Sequence, residues 1–217
     1  MDNEKSKRVG ICVYGASSSR IAAAYTAAAR QLGSLIAAKG WDCINGAGSH
    51  GLMRAASDGA LDAGGTATGV IPQFMVDNGW SYSRLTRTIV TTDMHQRKRT
   101  MASMASAFVA MPGGCGTIEE LMEVFTWIQL GIIDSGKPLV VLNTGGYYNH
   151  LIAQVEQSAA EGFMKPSHRS LWHIAATPQQ AVEAIERAFG QGPQPVESKY
   201  RPHRRGNREK RDRKQTK

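Results

Sequence analysis

The stretch Met111-Pro-Gly-Gly-Cys-Gly-Thr-Ile-Glu-Glu120 decides the fold, because it joins a strand-like segment to a helix-like one through a glycine loop. Apolar residues 107–111 are typical of a buried parallel strand, and residues 118–130 carry apolar side chains at helical spacing. Three glycines in four positions let the backbone turn tightly and approach a ligand closely, since no Cβ stands in the way. Thr117 is the predicted N-cap of the helix. Free N–H groups and the helix dipole converge at such a helix start, which predicts an anion site with phosphate as the expected anion.

Strand-like and helix-like segments alternate along the rest of the chain. The predicted strands cover residues 8–14, 41–45, 66–71, 86–92, 107–111, 139–142 and 171–175. The predicted helices cover residues 21–39, a segment between 46 and 64, and residues 94–106, 118–130, 148–161 and 179–189. This alternation predicts an α/β fold with a doubly wound, Rossmann-like parallel sheet, in which ligands bind outside the carboxyl ends of the strands. Residues 73–84 have no clear period, and we predict a loop beside the ligand pocket there.

The positive charge is concentrated at one end of the chain. Of the formal net charge of +8, residues 190–217 hold +7, while residues 1–189 hold 16 basic and 15 acidic side chains. We predict a single folded domain over 1–189 and a disordered basic tail over 190–217, since the tail has too few apolar residues to offset its ordering entropy. The tail either binds a polyanion such as nucleic acid or only helps to keep the chain in solution. No apolar run approaches the roughly 20 residues of a membrane span and no signal-peptide pattern is present, so we expect a cytoplasmic protein without membrane contact.

Several other residues have two interpretations or a purely structural one. Serines 17–19 follow the first predicted strand, where small hydroxyl residues commonly help to hold phosphate, and they equally suit a polar turn that caps a helix. His50 either contacts a ligand or is solvated. Cys12 and Cys43 lie in predicted strands and are expected to be small buried apolar residues. The cysteines lack the spacing of metal ligands, and we expect no metal.

Two stretches carry a resemblance to a known family. Pro112-Gly-Gly-Cys-Gly-Thr-Ile-Glu-Glu120 resembles the PGGxGTxxE signature of the Lonely Guy (LOG) family, and Asp93-Met-His-Gln-Arg-Lys98 resembles its second signature at the family's spacing. The likeness continues through Thr126-Trp-Ile-Gln-Leu-Gly131, Lys137-Pro138 and Gly146-Tyr-Tyr-Asn149 and spans residues 9–189. LOG proteins are cytokinin riboside 5′-monophosphate phosphoribohydrolases, which cleave the N-glycosidic bond of nucleoside monophosphates. The resemblance therefore implies a hydrolase that releases a free adenine-type base and ribose 5-phosphate.

The resemblance also implies roles for individual residues and a quaternary structure. Arg97 and Glu120 are the implied catalytic residues. The implied substrate-binding residues are Met94, Lys98, Gly113, Gly114, Cys115, Gly116, Thr117, Glu119 and Thr126. The chemistry needs no cofactor, and LOG-type proteins resemble one another in completing their site across a two-fold interface. We therefore expect a homo-oligomer, a dimer or higher, that binds a nucleoside monophosphate.

Glu120 has a structural interpretation as well. Thr117-Ile-Glu-Glu120 matches a capping box, in which a glutamate at the third helical position bonds back to the amide of the N-cap residue. The local sequence leaves both interpretations open, and Arg97 at the family's spacing favours catalysis. Two alternatives for the whole protein are a non-catalytic nucleotide-binding or cofactor-carrier protein of the same superfamily, and a nucleic-acid-associated protein that acts through its basic tail.

Overall fold

Seven parallel strands form one sheet in the computed structural model, which describes residues 8–191. The strands are β1 Gly10–Tyr14, β2 Asp42–Asn45, β3 Thr66–Pro72, β4 Arg87–Thr91, β5 Ala107–Ala110, β6 Leu139–Leu142 and β7 His173–Ala175. Their order across the sheet is β4-β3-β2-β1-β5-β6-β7. Strands β2 to β4 are added on one side of β1 and strands β5 to β7 on the other, so the order of strand addition reverses between β1 and β5. In open parallel sheets, ligands bind in the crevice outside the carboxyl ends of the strands at this reversal.

Helices cover both faces of the sheet. The α-helices are α1 Ala23–Ala38, α2 Gly51–Asp62, α3 Gln73–Asp77, α4 Met94–Met104, α5 Cys115–Gln129, α6 Asn149–Ala160 and α7 Pro178–Gln191. Helices α1, α2 and α7 contribute to the core on one face, whereas α4, α5 and α6 contribute to the core on the other. The predicted α/β fold with a doubly wound, Rossmann-like parallel sheet is confirmed.

The central strands are apolar throughout because both of their faces are covered. Successive side chains of a strand point to opposite faces, so Ile11 and Val13 join one core cluster while Cys12 and Tyr14 join the other. Cys12 and Cys43 are fully buried, as expected, and burial raises the pKa of both thiols. These cysteines therefore act as small apolar core residues.

Two local predictions are wrong, and several boundaries shift. Residues 73–84 are not all loop, because α3 occupies Gln73–Asp77. A helix of five residues is too short to show a helical period of apolar residues. It ends where the Asn78-Gly79 turn pattern predicts, because the Asn78 side-chain amide donates to the Phe74 carbonyl and Gly79 has a φ of 72°. The predicted N-cap at Thr117 is also wrong, since α5 begins at Cys115. Helix α2 begins at Gly51, within the stretch predicted to open it. The strand predicted over 171–175 begins at His173, after a 3₁₀ helix over Pro166–Leu171.

The basic tail is largely outside the described part of the chain, which ends at residue 191. Its predicted disorder and its polyanion binding therefore stay predictions. Within residues 8–191, no helix has the length and apolar character needed to cross a membrane.

Candidate active site

The glycine loop leads into α5 three residues earlier than the sequence indicated. Gly114 is the N-cap, so Cys115, Gly116 and Thr117 are the first three residues of the helix. The first N–H groups of a helix have no acceptor within it, and the helix dipole adds partial positive charge at the same end. A Cβ built at Gly114 or Gly116 meets no atom within 4 Å, so both glycines face open space. This end of α5 therefore has the free N–H groups and the space that an anion would need.

Two tyrosines hold the glycine loop in place. The Tyr148 hydroxyl is buried and donates to the Met111 carbonyl at 2.7 Å, and the Tyr147 hydroxyl donates to the Gly113 carbonyl at 2.7 Å. Gly113 itself packs so tightly that a Cβ there would lie 2.2 Å from the Thr117 hydroxyl oxygen. The Gly146-Tyr-Tyr-Asn149 stretch therefore has a positioning role that its sequence alone did not reveal.

Helix α4 presents Arg97 at the carboxyl edge of the sheet. The Asp93 side chain caps the helix by accepting from the Gln96 amide at 2.7 Å, and the Gln96 side chain accepts from the Thr92 amide at 2.7 Å. Hydrogen bonding to Gln96 also lowers the pKa of the Asp93 carboxyl. This cap fixes the start of α4, so that Arg97 lies on its first turn.

The Arg97 guanidinium is buried, and backbone carbonyls hold it. Its Nε donates to the Val70 carbonyl at 3.0 Å and its Nη2 to the Gly46 carbonyl at 3.3 Å. These acceptors lie at the carboxyl ends of β3 and β2. Nη1 lies 3.6 Å from Oε1 of Glu120. Arg97 is therefore oriented by the backbone, with one nitrogen directed at the carboxylate.

Glu120 lies in the second turn of α5 and is nearly buried, with 12% of its side chain exposed. Burial raises the pKa of its carboxyl to about 7; the Arg97 guanidinium opposes this shift, and the Glu119 carboxylate adds to it. Because α5 begins at Cys115, Glu120 is not the third helical residue, and the capping-box interpretation is wrong. A buried carboxyl with a perturbed pKa in a cleft is typical of a functional site.

Lys98 forms a second charged cluster beside this pair. Its ammonium group binds the Glu119 carboxylate and, at 3.2 Å, the Glu123 carboxylate. Burial lowers the pKa of Lys98, but the hydrogen bonds to the two carboxylates outweigh burial, so that the pKa is raised. Lys98 thus neutralises Glu119, the neighbour of Glu120.

A cavity of about 650 Å³ opens at this edge of the sheet. Seven of the predicted site residues line it: Met94, Arg97, Gly114, Gly116, Thr117, Glu119 and Glu120. Four others do not: Lys98, Gly113, Cys115 and Thr126. Cys115 is exposed, and the exposed Thr126 donates its hydroxyl to the Met122 carbonyl of its own helix. The four predicted residues outside the lining are therefore at the border of the cavity or farther along the helices.

Other lining residues come from the loops after β1, β2 and β3. Ser17, Ser18 and His50 are among them, which places these polar residues on the cavity wall. Apolar residues that the sequence did not single out also line it: Met53, Ile71, Met75 and Trp80. The apolar spacing of the predicted helix could have indicated a structural role for Met53. Nothing in the sequence around Trp80 indicated that its side chain lines the cavity. Among residues 8–191, no group of three metal-ligating side chains is close enough to hold a metal ion.

Comparisons with known proteins agree with this architecture. A family model described as "Possible lysine decarboxylase" matches residues 53–185. The cytokinin riboside 5′-monophosphate phosphoribohydrolase LOG5 of Arabidopsis thaliana is 38% identical over 186 residues, which cover 86% of this chain and 81% of the relative. The probable cytokinin riboside 5′-monophosphate phosphoribohydrolase LOGL3 of Oryza sativa subsp. japonica is 41% identical over 175 residues, which cover 81% of this chain and 82% of the relative.

A solved structure shares the fold at lower identity. The molybdenum cofactor carrier protein from Chlamydomonas reinhardtii is 26% identical, with a TM-score of 0.65, and the match covers 84% of this chain and 99% of that chain. The plant relatives share more of the sequence than this carrier protein does. At 38% and 41% identity over more than four fifths of its length, this chain belongs to the LOG family of cytokinin riboside 5′-monophosphate phosphoribohydrolases.

Proposed function

We propose that this protein hydrolyses the N-glycosidic bond of adenosine 5′-monophosphate (AMP) or of an N6-modified form, and releases the free base and ribose 5-phosphate. The observation that carries the proposal is the Arg97–Glu120 pair, which shares one cavity with the open N-terminus of α5. The names of the plant relatives describe the same reaction class.

The N-terminus of α5 anchors the phosphate in this proposal. The amides of Cys115, Gly116 and Thr117 donate to its oxygens, and the absence of side chains at Gly114 and Gly116 lets the phosphate approach the backbone. Binding energy from this group, which does not react, positions the ribose for cleavage. The serines of the β1 loop, Ser17 and Ser18, lie on the wall next to it.

The reacting atoms lie beside Glu120. As the bond between ribose C1′ and the base nitrogen breaks, its electron pair goes to the base, and C1′ becomes oxocarbenium-like and positive. The Glu120 carboxylate stabilises this charge and orients the water whose oxygen bonds to C1′. One of the two protons of this water stays on the new C1′ hydroxyl, and the other passes to the base nitrogen, so that the base leaves as a neutral molecule. Arg97 stabilises the negative charge that develops on the base, because its guanidinium is already held in place by two backbone carbonyls.

Product analysis tests the proposal. The protein is incubated with AMP, with isopentenyladenosine monophosphate and with adenosine, and free base and ribose 5-phosphate are measured. We expect release from the monophosphates and far slower release from adenosine, which lacks the charge-assisted bonds at the α5 N-terminus. Equal turnover of adenosine and AMP contradicts the assignment of the phosphate site.

A cofactor-carrier function is the second candidate, favoured by the 0.65 TM-score to the molybdenum cofactor carrier protein. Tight binding of a phosphorylated ligand without release of any base would favour it. The decarboxylase description of the family model has less support. A pyridoxal-phosphate enzyme needs a lysine to form a Schiff base, and the ammonium group of Lys98 is held by the Glu119 and Glu123 carboxylates.

A homo-oligomer is part of the proposal. Thr126 lies six residues after Glu120 on α5, which is about 9 Å along the helix axis at 1.5 Å per residue. It is exposed and outside the cavity of its own chain. A substrate contact by Thr126 therefore requires a second copy of the chain. Light scattering at micromolar concentration tests this step, and a fully active monomer would contradict it.

A further inference from the structure

One large aromatic side chain is exposed on the wall of the cavity. The Trp80 residue is 51% accessible to solvent. Of the exposed large hydrophobic residues among residues 8–191, it alone lines the cavity of Arg97 and Glu120. Leaving an indole half exposed forgoes much of the stabilisation that burial of its apolar surface gives. A ligand that covers the indole recovers this stabilisation.

The backbone around Trp80 is held by the neighbouring loop. The Ser49 amide donates to the Trp80 carbonyl at 3.1 Å, and the Tyr82 amide donates to the Ala47 carbonyl at 3.0 Å. The Trp80 amide itself donates to the Met75 carbonyl at the end of α3, also at 3.0 Å. Hydrogen bonds on both sides of the residue fix the direction in which the indole leaves the chain.

The loop that contains Ala47 and Ser49, which forms two of these hydrogen bonds, has a strained backbone. Ala47 has a φ of 59°, in the left-handed region that residues other than glycine adopt only at a cost. The next residue, Gly48, forms an isolated antiparallel bridge with Ser81. Such strain persists where the surrounding structure enforces it, and it concentrates at functional sites.

Helix α2 holds the same segment from the other side. The Tyr82 hydroxyl binds the Asp58 carboxylate, and Arg84 pairs with Asp58 and Asp62 at 2.7 Å each. The Arg54 guanidinium lies 5.3 Å from the centre of the Tyr82 ring. The Trp80 segment is therefore anchored at the surface at several points, although it belongs to neither a strand nor a helix.

The sheet order assigns Trp80 to one end of the cavity. The proposed phosphate site lies after β5, and the β1 loop is next to it, since these strands are adjacent. The loops that follow β2 and β3 lie beyond β1, and they bring Trp80 together with the apolar side chains of Met53, Ile71 and Met75. Arg97 contacts the ends of β2 and β3 and also lies 3.6 Å from Glu120 of α5, so it links the two regions. A nucleotide with its phosphate at α5 and its C1′ at Glu120 points its base towards Trp80.

We propose that Trp80 determines specificity for the base, by stacking its indole on the purine ring of a nucleoside monophosphate. The inference rests on the proposed function, because that function sets the direction in which the nucleotide lies. Base–aromatic stacking is available to every base, and it increases with the area of the ring system. Trp80 therefore favours purine over pyrimidine monophosphates and contributes nothing to ribose 5-phosphate, which has no base.

Binding measurements on two ligands separate stacking from structure. Calorimetry gives the Kd of AMP and the Kd of ribose 5-phosphate in the Glu120→Gln background, whose slow turnover leaves AMP intact during the titration, with Trp80 unchanged or replaced as Trp80→Ala or Trp80→Phe. We expect Trp80→Ala to weaken AMP binding about 30-fold, the middle of the range for loss of one base–aromatic stack. Ribose 5-phosphate should bind unchanged, and Trp80→Phe should restore AMP binding to within about threefold, since a phenyl ring also stacks. The matched control is Phe74→Ala, because Phe74 is exposed on adjacent α3 but does not line the cavity.

Each other outcome overturns the inference. Equal weakening of both ligands would mean that Trp80 supports the loop rather than the base, and unchanged AMP binding would mean that the base lies elsewhere. Where base release is measurable, the ratio of kcat/KM for AMP to that for cytidine monophosphate should fall in Trp80→Ala, and a constant ratio would also count against stacking. Calorimetry needs no turnover, so wild-type protein that binds AMP without releasing base would refute the proposed hydrolysis while still testing Trp80.

Discussion

Nη1 of Arg97 lies 3.6 Å from Oε1 of Glu120, beyond the 3.2 Å of an ordinary hydrogen bond. Backbone carbonyls hold the other two guanidinium nitrogens, so Arg97 does not depend on Glu120 for its orientation. The two side chains come from neighbouring helices on one face of the sheet and meet at its carboxyl edge. A cation and an anion that are close but not tightly bonded can each act on a substrate atom. In the proposed reaction these atoms are the departing base nitrogen and C1′.

Replacing the Glu120 carboxylate with an amide tests whether its negative charge supports the reaction. Glu120→Gln keeps the size of the side chain and removes the negative charge beside C1′, where the transition state is positive and the ground state is not. We expect kcat to fall about 10²-fold or more, as for loss of a preorganised electrostatic contact, with AMP binding retained. Steady-state kinetics and calorimetry measure the two quantities.

Glu123→Gln is the matched control for this substitution. Glu123 lies on the same helix and binds Lys98 at 3.2 Å, but it does not line the cavity. Its replacement should change kcat by less than about threefold, since Lys98 keeps its bond to Glu119 and the amide oxygen of a glutamine can still accept from the ammonium group. A similar loss of kcat in both variants would mean that the general charge of α5, and not the Glu120 carboxylate, supports the reaction.

The pH dependence of kcat should follow the ionisation of Glu120. Burial raises the pKa of its carboxyl to about 7, and the proposed role needs the ionised form. Activity should therefore be low below this pH, rise through neutrality and level off above it. Glu120→Gln should retain its residual activity without this rise. A wild-type profile that falls through neutrality would show that the protonated carboxyl is the active form, as a proton donor to the base.

The same pKa predicts how stability changes with pH. The folded-state pKa of Glu120 is about 7, above the ordinary value of 4.5, so the folded protein keeps a proton that the unfolded chain has lost between these values. The free energy of unfolding therefore decreases as pH rises from about 4.5 to 7, by about 3 kcal/mol from this group. Denaturant unfolding at several pH values should show this decrease in the wild type, and a smaller one in Glu120→Gln. An equal decrease of the unfolding free energy with pH in both proteins would mean that Glu120 is not buried as described.

The fold was predictable because its signals are local. Apolar runs such as Leu139–Leu142 indicate strands buried on both faces, and alternation with helices leaves few arrangements other than a parallel sheet. The glycine loop before α5 was equally visible. The start of α5 was not, because Thr117 is a favourable N-cap residue by type, and only the loop held by Tyr147 and Tyr148 places Gly114 at that position.

The candidate site was less predictable because its contacts join distant parts of the chain. Arg97 was identifiable by resemblance to a family signature, but its partner carbonyls at Gly46 and Val70 are 51 and 27 residues away. Trp80 follows a helix too short to show a period, and its backbone is fixed by Ser49 of another loop. Neither relationship leaves a periodic signal in the sequence.

Gly46, whose carbonyl accepts from the Arg97 guanidinium, gives the last test of that side chain. A Cβ built at Gly46 would lie 1.6 Å from Nη2 of Arg97, so Gly46→Ala must displace the guanidinium from its carbonyl acceptors. Misplacing a catalytic group by about 1 Å can cost about 10²-fold in rate, and we expect a loss of this size in kcat. Gly48→Ala is the matched control in the same loop, because its Cβ would meet the flexible end of Met53 at 2.6 Å, which can move aside. Its kcat should stay within about tenfold of the wild type, and thermal unfolding should show both variants folded. A folded Gly46→Ala variant with full activity would contradict the role proposed for Arg97, since the reaction would then proceed with its guanidinium out of place.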